Sequence, residues 1–166
     1  MTPVVFGLAI IYVVISVGFV FAAYAFAGRP VARPLGGAPR VLFIDDNADL
    51  LAVVRLAMEA EVCQVQIAEQ PRQGLEFYRK NWRNIDVVLL DFLMPDMNGD
   101  QVFQSIATIN PNASTILVTG YGDAQELAPL QKKVTGCLLK PFSMDELVRM
   151  VQAAADHLKQ PAFLLC

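Results

Sequence analysis

Charge is missing from one end of this sequence. Residues 1–28 contain no Asp, Glu, Lys or Arg, and a predominantly apolar run occupies residues 4–27. As a helix, this run would be about 36 Å long, against about 30 Å for the hydrocarbon core of a bilayer. The run therefore predicts a transmembrane anchor helix within residues 1–28.

Two other interpretations of this run stay open. Residues 25–27 (AFA) resemble the cleavage site of a signal peptide. However, no Lys or Arg precedes the run, and the run is longer than the roughly 7–15 apolar residues of a signal-peptide core. A buried core helix would need long apolar elements around it, and the rest of the chain has none. We favour the uncleaved anchor.

The remainder of the chain is poor in residues that mark other classes of protein. Its three cysteines are odd in number and widely spaced, which argues against a metal cluster and predicts reduced thiols. Three of the 13 Lys and Arg residues lie within residues 1–40, so residues 41–166 carry ten, against all 16 acidic residues. This acidic balance, without a basic run, argues against nucleic-acid binding.

The segment after the apolar run predicts an orientation in the membrane. Residues 29–39 are rich in Gly, Pro and Arg, which is typical of a linker that forms no packed element. Arg29, Arg33 and Arg40 follow the run, so the positive-inside rule places the remainder in the cytoplasm. We expect a single-pass protein of the inner (cytoplasmic) membrane, attached through residues 4–27, with a cytoplasmic domain at residues 40–160 and a tail at 161–166.

Two patterns of apolar residues, one typical of strands and one typical of helices, alternate along residues 40–160. Short apolar runs predict five strands, within RVLFIDDN, VCQVQIA, IDVVLLD, STILVTG and CLLK. Helical periodicity after each strand predicts five helices, the last with Ser143 as its N-cap. Apolar strands that alternate with helices indicate a doubly wound α/β fold around a five-stranded parallel sheet.

Polar residues stand where four of these strands end. Asp45 and Asp46 follow the first strand, Asp91 ends the third, Thr119 ends the fourth and Lys140 follows the fifth. Ligands of open parallel sheets bind beyond the carboxyl ends of the strands. Carboxylates that meet there need a cation, and oxygen-only ligation suits Mg²⁺ beside a phosphoryl group. Asp91 can serve as a nucleophile towards that group, while Thr119 and Lys140 can bind its oxygens.

Each of these residues also has a purely structural explanation. Asp45 or Asp46 would be an ordinary cap for the following helix, and MPDMNG after Asp91 is a good turn in any protein. Their joint occurrence at successive strand ends favours the functional interpretation.

Four sequence blocks within residues 40–160 resemble a known family. VLFIDDN, VVLLDFLMPDMNG, ILVTGYGD and CLLKPFSMDEL are similar to the receiver domain of two-component response regulators, which is CheY-like. The resemblance implies a flavodoxin-like receiver fold. It also implies a signalling domain whose Asp91 accepts a phosphoryl group from a histidine kinase or histidine phosphotransfer protein. Beyond that self-catalysed transfer, no enzymatic activity is implied.

The same resemblance implies roles for the other residues at the strand ends. Mg²⁺ would be held by the side chains of Asp45, Asp46 and Asp91 and by the backbone carbonyl of Leu93. Thr119 would be the switch hydroxyl, and Lys140 the lysine that pairs with the phosphoryl group. The Lys140–Pro141 peptide bond is expected to be cis.

The sequence departs from the family pattern at two positions. The family often has an aromatic residue three positions before the lysine, where this chain has Cys137. Pro129 interrupts the predicted fourth helix and should shorten or kink it. We therefore keep open a pseudo-receiver, an interaction module that phosphorylation does not control.

The regions outside residues 40–160 predict how the domain would signal. They contain no output domain and no ATP-binding motif. We expect a stand-alone receiver that acts on an unknown downstream protein, or serves as a phosphorelay intermediate or phosphate sink. A Mg²⁺-dependent phosphohydrolase with an aspartate nucleophile is disfavoured, because it would need a second acid where this chain has Leu93.

Overall fold

The structure is a computed structural model that describes residues 37–61, 63–120 and 129–157. Its strands are β1 (Arg40–Ile44), β2 (Gln64–Ala68), β3 (Val87–Asp91), β4 (Thr115–Thr119) and β5 (Gly136–Leu139). Its helices are α1 (Ala48–Glu61), α2 (Pro71–Asn81), α3 (Gly99–Ile109) and α4 (Met144–His157), and a short 3₁₀ helix spans Trp82–Asn84.

The strands form one parallel sheet in the order β2-β1-β3-β4-β5. The chain therefore runs outward from β1 to β2, crosses back to β3, and continues outward in the other direction. Such a reversal opens a crevice between the carboxyl ends of β1 and β3. The predicted five-stranded, flavodoxin-like parallel sheet is confirmed.

Helices cover both faces of the sheet. Right-handed crossovers place α2 and α3 on one face and α1 and α4 on the other, and the members of each pair contact one another. Every residue of β3 and β4 is buried, which explains why these strands are almost wholly apolar. The polar exceptions in these strands are Asp91, Thr115 and Thr119.

The predicted helices are confirmed for α1, α2, α3 and α4. Of the helix predicted between β4 and β5, the structure describes helical residues 129–131. The N-terminal part of that prediction, at residues 123–128, lies outside the described residues.

Within the described ranges, no helix is long and apolar enough to cross a membrane. The predicted anchor at residues 1–28, the predicted linker up to residue 36 and the predicted tail at 161–166 lie outside those ranges. The anchor therefore stays a prediction from the sequence.

Candidate functional site

The carboxyl edge of the sheet brings the three predicted carboxylates together. One oxygen from each of Asp45, Asp46 and Asp91 lies within 4.8 Å of the other two. The cause is the register of the adjacent parallel strands β1 and β3, in which Ile44 stands opposite Leu90. The residues that follow this pair, Asp45 and Asp91, must then lie side by side.

Lys140 joins two of these carboxylates. Its Nζ atom lies 2.8 Å from Oδ2 of Asp45 and 2.6 Å from Oδ1 of Asp91. The start of its loop is fixed by the Lys140 amide, which donates to the Thr119 carbonyl at 2.7 Å. The Lys140–Pro141 peptide bond is cis, as predicted. The side chain thus reaches the β1–β3 crevice from the end of β5.

Burial distinguishes the three carboxylates. The exposed fraction is 0% for Asp45 and 4% for Asp91, whereas Asp46 is exposed. Two buried carboxylates therefore share one ammonium, and the third stands at the solvent side of the cluster.

The charges of this cluster are unevenly compensated. Burial, with smaller contributions from the charges of Asp45 and Asp46, raises the pKa of Asp91 to about 6 against the opposing effect of the Lys140 ammonium. Burial acts to lower the pKa of Lys140, but its hydrogen bonds to Asp45 and Asp91 outweigh burial and hold that pKa above its ordinary value. Lys140 is therefore firmly cationic, while ionised Asp91 lacks sufficient positive charge around it.

A divalent cation fits this arrangement. Three ionised carboxylates and one ammonium carry a formal net charge of −2. The donor atoms within 4.8 Å are all carboxylate oxygens, the ligand type that Mg²⁺ prefers. The cation would also stabilise ionised Asp91, which burial disfavours.

Asn47 explains why the acidic pair is not needed as a helix cap. The amide of Leu50 donates to Oδ1 of Asn47 at 3.0 Å, so Asn47 caps α1. The amide of Asn47 in turn donates to Oδ1 of Asp45 at 2.9 Å. Asp45 is thereby held by the backbone on one oxygen and by Lys140 on the other. Sequence reasoning missed Asn47, although its position directly before the helical pattern was a signal for a cap.

The loop after β3 is held against the end of that strand. The amide of Gly99 donates to the Phe92 carbonyl at 2.8 Å. A Cβ atom at Gly99 would lie 2.8 Å from Cα of Phe92 and 2.9 Å from the carbonyl oxygen of Asp91. Both contacts are with backbone, so only glycine permits this close approach.

A capping box, which sequence reasoning did not identify, begins α3. Asn98 accepts from the amide of Gln101 at 3.0 Å, and the Gln101 side chain accepts from the amide of Asn98 at 3.2 Å. The signal was the sequence NGDQ, an Asn followed three residues later by a Gln. The box anchors the far end of the loop that carries Leu93, whose side chain is 56% exposed.

Thr119 lies at the end of β4, next to the strand that ends in Asp91. Asp91 is in register with Val118, and the amide of Phe92 donates to the Val118 carbonyl at 3.2 Å. The Thr119 residue is 1% exposed, and its hydroxyl lies 3.4 Å from the Gly120 carbonyl. The sheet thus brings the predicted carboxylates and ammonium together and places Thr119 at the end of the neighbouring strand.

Comparison with known proteins identifies the family. The family described as the response regulator receiver domain matches residues 41–152. This chain belongs to that family. Receiver domains are phosphoacceptor signalling domains that take phosphoryl groups from histidine kinases or phosphotransfer proteins and bind Mg²⁺ in their acidic pocket.

Individual relatives and solved structures agree with the receiver assignment. The transcriptional regulatory protein GlrR of Escherichia coli (strain K12) is 32% identical over 123 residues, which are 74% of this chain and 27% of GlrR. A receiver domain protein from Clostridium thermocellum has a TM-score of 0.70 and 27% identity, over 73% of this chain and 97% of that one. The response regulator TrrA of Thermotoga maritima, solved in complex with Mg²⁺-BeF, has a TM-score of 0.63 and 25% identity, over 70% of this receiver and 98% of TrrA.

The match to curated relatives is confined to part of each relative. This receiver chain spans between 26% and 52% of the length of the first four curated relatives that it matches. What those whole proteins regulate is therefore not transferred to this chain.

Proposed function

We propose that this chain is a membrane-tethered receiver that accepts a phosphoryl group from a phosphohistidine partner onto Asp91. The observation that carries the proposal is that the ammonium of Lys140 bonds two carboxylates at once. Lys140 Nζ lies within 2.8 Å of both Asp45 and Asp91, inside a cluster of three carboxylates at the carboxyl edge of the sheet. Such a cluster is suited to a divalent cation and a phosphoryl group together.

The residues proposed to hold Mg²⁺ are Asp45, Asp46, Asp91 and the backbone carbonyl of Leu93. The formal charge of −2, the oxygen donors and the raised pKa of Asp91 support this part of the proposal. When bound, Mg²⁺ supplies positive charge to the phosphoryl oxygens in the loose transition state.

The chain's own groups would perform the transfer. A carboxylate oxygen of Asp91 attacks phosphorus in line, the new O–P bond forms, and the P–N bond of phosphohistidine breaks with its electron pair on the leaving imidazole. Lys140, already 2.6 Å from Asp91, pairs with the phosphoryl oxygens as the nucleophile is consumed. The Thr119 hydroxyl then donates to the new dianion, and the movement alters the partner-binding face.

The membrane tether rests on the sequence. Residues 1–28 lack charged side chains, and residues 4–27 are long enough to span a bilayer. The output partner would then meet a receiver confined to the membrane surface, either as a downstream effector or as the next carrier in a phosphorelay.

Intact-mass spectrometry of the full chain tests phosphoryl acceptance. We expect incubation with acetyl phosphate and Mg²⁺ to add one phosphoryl group, and EDTA or the Asp91→Asn substitution to prevent the addition. Asp96→Asn is the matched control, because Asp96 is an exposed acid of the loop after β3. A folded chain that gains no mass, or gains it equally in Asp91→Asn, contradicts the proposal.

Cys137 favours the second candidate, a pseudo-receiver that phosphorylation does not control. Cys137 lies in β5, is partly buried and packs against the core cluster that includes Leu90 and Leu117. Its side chain is far smaller than the aromatic residue that the family often has there, so a Thr119 movement would have less to displace. Phosphoryl acceptance without any change in partner binding would favour this candidate.

A further inference from the structure

The two edges of the sheet differ in charge. Helices run antiparallel to the strands, so helix N-termini share the carboxyl edge of the sheet, and helix C-termini share the opposite edge. The carboxyl edge carries mainly acids, among them Asp45, Asp46, Asp91, Asp96, Asp100 and Asp145. The opposite edge carries Arg40, Arg79, Lys80, Arg83, Lys132 and Lys133.

The cations at the end of α2 are exposed. Arg79 and Lys80 lie in the last turn of α2, Arg83 lies in the 3₁₀ helix that follows, and all three are exposed. Among the described residues, none of the three has a salt-bridge partner, although the Arg83 guanidinium lies 4.5 Å from the ring centroid of Trp82. We call Arg79, Lys80, Trp82 and Arg83 the basic cluster.

Nearby acids cancel only part of the positive charge of the basic cluster. Asp86 already pairs with Arg40 at 3.4 Å, and Glu59 pairs with Arg55 at 3.1 Å. The other acids of this edge end α1 and α4, which cover the opposite face of the sheet. Glu76, an exposed acid one turn before Arg79 and Lys80 on α2, offsets one of the three cations, so the end of α2 keeps a formal net charge of +2.

The helix dipole does not account for the basic cluster. Cations in a last turn do stabilise a helix by their interaction with its C-terminal end. However, neither α1 nor α3 has a basic residue in its last turn, and Arg83 lies beyond the end of α2. Helices α1 and α3 therefore end without such cations, so the dipole does not require three of them at the end of α2.

A recess opens beside the basic cluster. It has a volume of about 390 Å³, and its lining includes Arg40 and Glu59, the amides Asn81 and Asn84, and apolar Phe77 and Ile85. A recess with donors and apolar surface at its wall is suited to an amphipathic group such as the headgroup region of a phospholipid.

The chain also enters the domain at this edge. The carbonyl of Pro39, the residue before β1, accepts from the amide of Gln64 at 2.8 Å. The uncharged residues 1–28 and the linker with Arg29 and Arg33 precede this point in the sequence. Residues 37–39, the first that the structure describes, therefore reach the domain at the same edge as the basic cluster.

We propose that the basic cluster docks on anionic phospholipid headgroups and turns the acidic phosphoacceptor edge away from the membrane. Lys and Arg near an anionic leaflet are attracted to it, and Trp is enriched at the membrane–water interface. The same surface potential repels the acidic edge. This inference rests on the proposed tether and is independent of phosphoryl transfer to Asp91.

Trp82 provides the test, because it is the only tryptophan in the chain. The full chain is reconstituted into phosphatidylcholine vesicles with and without phosphatidylglycerol, and energy transfer from Trp82 to a dansyl-labelled headgroup is measured. We expect strong transfer only with phosphatidylglycerol, and its loss in about 1 M salt, where the Debye length falls to about 3 Å. Equal transfer in both kinds of vesicle overturns the proposal.

Two substitutions on α2 distinguish docking through the basic cluster from a general effect of the charge of the domain. Arg79→Glu should lower the docking equilibrium constant about 25-fold, which corresponds to two elementary charges at about fivefold each. Arg72→Glu is the matched control, because it reverses the same charge on the same stripe of α2, about 10 Å nearer the acidic edge. It should lower docking no more than about threefold. Equal losses in the two variants contradict docking through the basic cluster.

Carbonate extraction of the same vesicles distinguishes failure of docking from failure of the tether. A chain that resists extraction, yet shows no anionic-dependent transfer from Trp82, keeps the tether and overturns docking. A chain that is extracted contradicts the tether. Docking is then supported if the vesicles showed energy transfer from Trp82 that depended on phosphatidylglycerol before extraction, and it is overturned if they showed none. Mass gain at Asp91 is measured in parallel and bears on neither result.

Discussion

The carboxyl and amino edges of this sheet both concentrate charge, but they hold it differently. At the carboxyl edge, Asp45 and Asp91 are buried and bonded to Lys140 at fixed distances. At the amino edge, Arg79 and Lys80 are exposed and have no such partner among the described residues. Buried charges are costly unless they are closely compensated, whereas exposed charges cost little and act over a Debye length. The first arrangement suits chemistry at one atom, and the second suits attraction to an extended surface.

The largest effect on stability should follow removal of the shared ammonium. Lys140→Met leaves two buried carboxylates without their partner, so the free energy of unfolding should fall by about 3 kcal/mol in the absence of Mg²⁺. Urea denaturation measures the change. Lys133→Met, at the exposed amino edge, should change it by no more than about 0.5 kcal/mol. If the two variants lost similar free energies of unfolding, the charges at the two edges would not differ in how they stabilise the fold.

The next effect concerns the close approach of the loop after β3. Gly99→Ala places a methyl group 2.8 Å from Cα of Phe92, so the backbone must shift, at a cost of about 1–3 kcal/mol. The shift should also slow phosphoryl acceptance, because the Asp91 carbonyl lies 2.9 Å from the same methyl group. Gly120→Ala, where nothing lies within 4 Å of the added atom, should affect packing far less. Denaturation and intact mass, measured on both variants, check the two expectations.

Mg²⁺ should stabilise the domain through the acidic edge. At a free concentration ten times its dissociation constant, bound Mg²⁺ raises the free energy of unfolding by about 1.4 kcal/mol. Asp46→Asn should weaken this stabilisation, because it removes one of the three clustered carboxylates. Thermal unfolding across a Mg²⁺ titration measures the effect, with Asp49→Asn on the first turn of α1 as the control. If Asp46→Asn responds to Mg²⁺ like the wild type, Asp46 is not part of the cation site.

The smallest effect is expected at the amino edge. Arg79→Ala removes an exposed cation from the last turn of α2, so the free energy of unfolding should fall by only about 0.5 kcal/mol. Thermal denaturation measures it. A loss several times larger would mean that Arg79 stabilises the fold, which would weaken its assignment to a membrane surface.

The sequence predicted the adjacency of the site residues because parallel strands bring their carboxyl ends to one edge. It did not predict that Asp45 would be buried while its neighbour Asp46 is exposed, since that difference depends on how the chain turns into α1. Nor did it predict that Lys140 would bond two carboxylates at once, which depends on the loop after β5. The basic cluster was also missed, because YRKNWRN becomes part of an edge only once α2 is placed antiparallel to the strands.

The central claim is that Asp91 forms an aspartyl phosphate, and chemical mapping tests it most directly. The full chain is treated with acetyl phosphate and Mg²⁺, reduced with borohydride, which converts an acyl phosphate to homoserine, and mapped by peptide mass spectrometry. The account predicts homoserine at position 91 and unmodified aspartate at positions 45, 46 and 96. Homoserine at another position, or none at position 91 in a folded and Mg²⁺-loaded chain, would contradict it.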